Sequence, residues 1–185
     1  PLLLAAAQPI ASHYIPSRLK TLLAEHPMVY PQVFSGPASM MFERLVRGEI
    51  ELGMFFHIPD IPDELEIFKN KEIRFHVVVR KDLRKKKEVL ESFIGSREID
   101  DTSTRRFPTI ERLRRLNPQT KIRISSNNLT AHRAVLPDFL IGQELKSGAV
   151  SDIFPNDRSA FQLKLLKRRT AILSPAAQAF LRAVL

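Results

Sequence analysis

The 185-residue chain is 44% hydrophobic and 26% charged, which allows one large or two small domains that bury a core and excludes a disordered tail. Its net charge of +9 is concentrated between Arg80 and Arg133, where fifteen Lys and Arg face seven Asp and Glu; the run Arg84–Lys87 has no interleaved aromatic for base stacking and reads as a solvated turn. No apolar run reaches the ~18 residues of a membrane span, Leu2–Ala7 is too short for a signal peptide, and the absence of cysteine excludes disulfides and thiolate chemistry.

Leu2–Ala7 is expected to form a buried strand. Ile15, Leu19, Leu22 and Leu23 then recur at helical spacing, predicting a helix that begins near Pro16 and ends before Pro27. Met28–Phe34 reads as a second strand, which Pro31 places at an edge or bulge. Met41, Phe42, Leu45 and Val46 define one face of a second helix, with Glu43, Arg44 and Arg47 opposite, and Gly48 stops it. Ile50, Leu52, Met54 and Phe56 alternate with Glu51, Gly53 and Phe55, and Phe55 makes the end nearly continuous, which reads as a strand covered on both faces. The order is β-α-β-α-β, which right-handed crossovers turn into a parallel sheet.

In such sheets ligands sit beyond the carboxyl ends of the strands, where the next helix begins. Those turns are Gln8–Ser12 and Ser35–Ser39. Both place hydroxyls and backbone N–H groups at a helix start, suitable for an anion; equally, Ser12, Ser35 and Ser39 are residues that cap helices without any ligand.

After a proline-punctuated loop, Leu65–Phe68 and Ile73–Val79 read as two further extended pieces, and composition shifts sharply at Arg80. The expected division is residues 1–78 with 137–185 in one lobe and 79–136 in a second. Within the second, Phe93–Ser96 and Lys121–Ser125 read as strands and Thr109–Leu116 as a helix, while Leu129–Val135 reads as the start of another helix capped by Asn127 or Asn128. Pro137–Lys146 is helical in pattern and closed by Ser147–Gly148, Val150–Phe154 and Phe161–Leu166 are strand candidates, and Ser174–Pro175 opens a last helix as N-cap and N1. Ser, His and acidic residues occur without a nucleophile elbow, metal motif or phosphate loop, which argues against an enzyme. The five histidines, His13, His26, His57, His76 and His132, never fall at a metal-ligand spacing, and no cofactor is expected.

Four stretches, Ile10–Leu19, Arg44–Met54, Leu136–Leu140 with Leu145–Gly148, and Leu173–Leu181, together resemble the effector-binding domain of LysR-type transcriptional regulators. The resemblance implies an α/β fold of two Rossmann-like lobes, similar to type II periplasmic binding proteins and joined by crossover segments. It implies a cytoplasmic, non-enzymatic sensor that binds a small molecule in a cleft between lobes; the helix starts together with Arg97, Arg105 and Arg106 favour a small anion or carboxylate. Carried over, the effector contacts are Gln8, Ile10, Ser12, Pro37, Ala38, Ser39, Phe56 and His57, and in the second lobe Gly95, Ser96, Ser126 and Asn127. A homodimer or homotetramer with the first helix at its interface is implied, as is contact with promoter DNA only through a winged helix-turn-helix that this chain lacks. Beginning at Pro1 rather than Met, the chain reads as a fragment or processed product. The alternative on the same fold is a solute receptor of a transport system. The family places a crossover strand between the positions matching Val135 and Leu136; here the two abut, so residues are expected to be missing at that junction.

Overall fold

The computed structural model describes residues 1–56, 58, 60–83, 92–96, 115–116, 118, 121–126, 133–158 and 160–185. In chain order the elements are β1 (Leu2–Ala6), α1 (Ile15–Glu25), β2 (Pro31–Ser35), α2 (Ala38–Val46), β3 (Leu52–Phe55), β4 (Leu65–Arg80), β5 (Ser92–Ser96), β6 (Lys121–Ser126), β7 (Arg133–Pro137), α3 (Asp138–Ser147), β8 (Val150–Asp152), β9 (Ala160–Arg168) and α4 (Pro175–Val184). They divide into two compact units, Pro1–Glu72 with Phe161–Leu185, and Ile73–Ala160. The divisions fall within β4 and at the start of β9; Val78 and Val79 of β4 pair with β7 and β8.

In the first unit β1 is flanked by parallel β2 and parallel β3, and β9 joins antiparallel to β3 with the first part of β4 beyond it. The expected β-α-β-α-β order and edge position of Pro31 are therefore realised. Alternation divides the buried strand residues between two faces. Ala5 and Phe55 pack with Met41, Phe42 and Leu45 of α2, together with Ile50, Leu65 and Leu166. The rings of Phe42 and Phe55 meet edge to face at 5.4 Å. Leu2, Leu4, Leu52 and Met54 are fully buried and point to the other face, where α1 and α4 pack and the Tyr14 hydroxyl donates to the Val184 carbonyl at 3.1 Å. Full burial of each large apolar side chain contributes about 1.5–3 kcal/mol, so these two layers hold the sheet in register.

Helical backbone starts earlier than the Pro16 signal predicts. The chain leaves β1 at Ala7, whose carbonyl accepts from Ile10 at 2.9 Å and Ala11 at 3.0 Å, and Ile10–Tyr14 forms a π-helical turn. Pro16 has no N–H to offer the turn behind it, and the Ile15 N–H instead reaches back five residues to Ile10. α2 ends as expected at Gly48, whose φ of 74° lies in the left-handed region. Its N–H bonds the Leu45 carbonyl at 3.0 Å while that of Glu49 bonds Arg44 at 2.9 Å, a Schellman closure. Gly148, at φ 73°, ends α3 with the same pair of bonds, to Leu145 and Glu144.

From Leu65 onward the chain differs from expectation in three places. Leu65–Phe68 and Ile73–Val79 are parts of one 16-residue strand, β4. Arg133–Val135 belongs to strand β7 and not to a helix; residues 127–132 lie outside the described residues. β7 runs antiparallel to β4 from Phe75↔Pro137 to Val79↔Arg133, and the apolar edge that Phe75–Val79 offers outweighs the weak helical preference of that stretch. The register His76↔Leu136, Val77↔Val135 is unbroken, so the junction where residues were expected to be missing is the middle of a paired strand. β8 pairs β4 on the same antiparallel pattern, and β5 and β6 form a separate parallel pair. Of the helix expected over Thr109–Leu116 only Arg115 and Leu116 are described, both helical. No described helix is long and apolar enough to cross a membrane.

Candidate functional site

In the first unit, the parallel register Ala6↔Ser35 and Ala6↔Met54 brings the carboxyl ends of β1, β2 and β3 level at one edge. Each of the expected contacts in this unit follows one of those ends. Gln8 and Ser12 are exposed in the helical turn after β1, and Pro37 and Ser39 are exposed after β2, with Ala38 and Phe56 half-buried. Ile10 is the exception, at 0% exposure: it belongs to the core beneath the turn. His57 lies outside the described residues.

Capping by serine is not what starts these helices. The N-cap of α2 is Pro37 and that of the π-helical turn is Pro9, and neither start has a side-chain cap. By contrast, Ser174 caps α4 by accepting the Ala177 N–H at 3.2 Å. The first N–H groups of an uncapped helix carry the positive end of its dipole. Around α2 they sit beside two strand ends and the hydroxyl-bearing Ser39, a setting suited to an anion.

Ser39 also shows a feature that the sequence reading missed. With Phe42, Glu43 and Val46 it follows the i, i+3, i+4, i+7 spacing of one helix face, and this face with Arg47 lines an open groove whose other wall is Asp60, Pro62 and Glu64. The loop residues were legible only as proline-punctuated connection.

In the second unit, β5 and β6 are parallel and end level, with Gly95↔Ser125 and Ser96↔Ser126 as register partners. Gly95, Ser96 and Ser126 thus share one carboxyl edge, while Asn127 lies outside the described residues, as do Arg97, Arg105 and Arg106. Among the described residues no three His, Asp or Glu side chains are arranged to hold a metal ion.

The family described as LysR substrate binding domain matches residues 1–185, the whole chain. Comparison with curated proteins finds no match. Among solved structures, the effector-binding domain of QuiR in complex with shikimate is 19% identical with a TM-score of 0.69, covering 100% of this chain and 95% of that one. Full-length CbnR complexed with its target DNA is 13% identical with a TM-score of 0.74, covering 99% of this chain and 68% of that one. The BenM effector-binding domain with benzoate is 12% identical with a TM-score of 0.69, covering 99% and 89%. At these identities the structural likeness shows the fold: an α/β arrangement of the type II periplasmic-binding-protein kind.

Proposed function

The chain belongs to the LysR substrate-binding family, the effector-binding domains of transcription regulators, and from that premise we propose that its effector is a small organic carboxylate received at the carboxyl edge of the first unit. The uncapped start of α2, level with the end of β1, carries this reading. Gln8, Ser12, Ala38 and Ser39 supply polar side chains and backbone N–H groups there, with Phe56 and His57 as the apolar and aromatic contacts. Gly95, Ser96, Ser126 and Asn127 form the corresponding set in the second unit. Shikimate and benzoate, the molecules bound by QuiR and BenM, are both small carboxylates, which supports the class without selecting the compound. Family membership favours the regulator over the transport receptor.

The domain works by population shift: effector that binds one arrangement better than another moves the regulator between them, by no more than that difference in affinity. Promoter contact belongs to a DNA-binding domain outside this chain, in a cytoplasmic protein without catalytic activity. The assembly is a homodimer or a pair of dimers. The helix α1, the turn after it and edge strand β2 expose Leu23, Met28 at 94%, Tyr30 at 68% and Val33 in turn, an apolar edge suited to a second copy.

The test is a thermal-shift and calorimetric titration of the chain with a panel of small aromatic and alicyclic carboxylates and their amides. A carboxylate that raises the melting temperature while its amide does not is expected. Substituting Ser12→Trp or Ser39→Trp is expected to abolish the shift while leaving the unliganded melting temperature within a few degrees. Responses to amides only, or retained in both variants, overturn the proposed site.

A further inference from the structure

His76, on β4 within the second unit, is 9% exposed and is the only polar residue among the described core. Its Nδ1 lies 2.7 Å from Asp152 Oδ2 at the end of β8, and its Nε2 is hydrogen-bonded to Asp138 Oδ1 in the first turn of α3. These residues are 62 and 76 positions away in sequence, and none was a candidate from motif or spacing.

Both ring nitrogens face carboxylate oxygens, which only accept hydrogen bonds when ionised. Asp152 is held in place by its other oxygen, which accepts the Phe154 N–H at 2.9 Å. Asp138 sits in the first turn of an uncapped helix, where negative charge is favoured. Two donors are therefore required of the ring, and imidazole provides two only when it carries the extra proton. A neutral ring keeps one N–H and turns a lone pair toward one carboxylate.

The surroundings decide which contact fails. Asp152 is 11% exposed and cannot easily turn to solvent, whereas Asp138 is 52% exposed. Arg74, on the same strand face as His76 by alternation, directs its guanidinium to the carbonyls of Pro155 at 3.0 Å and Asp157 at 3.5 Å. From β7 the register partner is Leu136, which carries no charge. The remaining charged groups of α3, Glu144 and Lys146, stand in its later turns.

We propose that His76 is a proton-operated latch: the protonated ring fastens the first turn of α3 to β4 and β8, and the neutral ring keeps Asp152 and releases Asp138. The ligand of this site is the proton itself, and its effect is to loosen α3 on the alkaline side. Nothing in this inference depends on which effector the domain binds.

Amide hydrogen exchange of the 185-residue chain, corrected at each pH for the intrinsic exchange rate, tests it between about pH 5 and about pH 8, the interval in which histidine changes charge. Protection at the start of α3 is expected to fall by about threefold to tenfold across that interval, the scale of one partly exposed charge-assisted hydrogen bond, while α2 stays constant. Asp138→Asn, whose amide can donate to a neutral ring and whose oxygen can accept from a protonated one, is expected to remove the pH response and still fold. Nitrogen chemical shifts of the His76 ring in the unmodified chain give an independent readout: two protonated nitrogens at the acid end and a bare Nε2 at the alkaline end. The same pH response in Asp138→Asn, or a bare Nε2 throughout, overturns the latch.

Discussion

At Gly53 a single hydrogen atom in place of a side chain sets how closely α2 lies on the sheet. A Cβ there would meet Leu45 Cδ1 at 2.8 Å and Phe55 Cε2 at 2.9 Å. Both neighbours are fully buried or nearly so, and neither can give way without disturbing the packed layer. Gly53→Ala is therefore expected to destabilise the first unit by about 1–3 kcal/mol, read as a lower urea midpoint with unchanged slope. A surface residue shows an electrostatic effect instead. The hydrogen bond from Lys167 to Glu66, at 2.7 Å, is the main reason that the Glu66 carboxyl is held below its ordinary value; the charges of Lys167 and Arg169 act the same way and desolvation opposes them. A lowered folded-state value means stability that is present above the ordinary carboxylate range and lost as pH falls through the lowered one. Urea denaturation of Glu66→Gln is thus expected to show a deficit at neutral pH that closes in acid.

Among the elements, α4 shows how a helix is held at both ends. Ser174 caps its start, and the Glu51 carboxylate accepts from both the Ser174 N–H and, at 2.9 Å, the Ser174 hydroxyl. At the other end Lys71 donates to the Val184 carbonyl, favoured there by the helix dipole. Ser174→Ala is expected to cost about 1 kcal/mol, seen as a lower melting temperature, and Ser174→Asn less, because asparagine caps nearly as well. α2 has no such side-chain cap at its start, and the contrast underlies the proposed anion site. The strands show the opposite dependence on context. β7 has a sequence that reads as the beginning of a helix, and it is extended because Phe75–Val79 of β4 offers it five register partners. Helix ends were legible because Gly48 and Gly148 act within one turn; strand pairing was not, because the partner is some sixty residues away.

For the whole molecule, the proposed self-association is the sharpest consequence of shape. Among the described residues β2 ends the sheet, and such an edge, with exposed Met28 and Tyr30 just before it, is an association hazard for a monomer and an asset for a dimer. Sedimentation velocity is expected to show a dimer, and Tyr30→Asp combined with Val33→Lys to give monomers of unchanged secondary structure; a monomeric parent chain removes the proposal.

The family, the β-α-β-α-β half with its strand ends, and the glycine-closed helices were legible in the amino acids alone, because hydrophobic period, proline and glycine act locally and the resemblance covers the chain. Packing in three dimensions was needed to bury Ile10 while leaving Ser12 exposed, to set the Val135–Leu136 junction within a strand, and to stand His76 between Asp138 and Asp152. Those outcomes depend on register and packing between residues far apart in the chain, and a one-residue shift in pairing reverses which face a side chain takes.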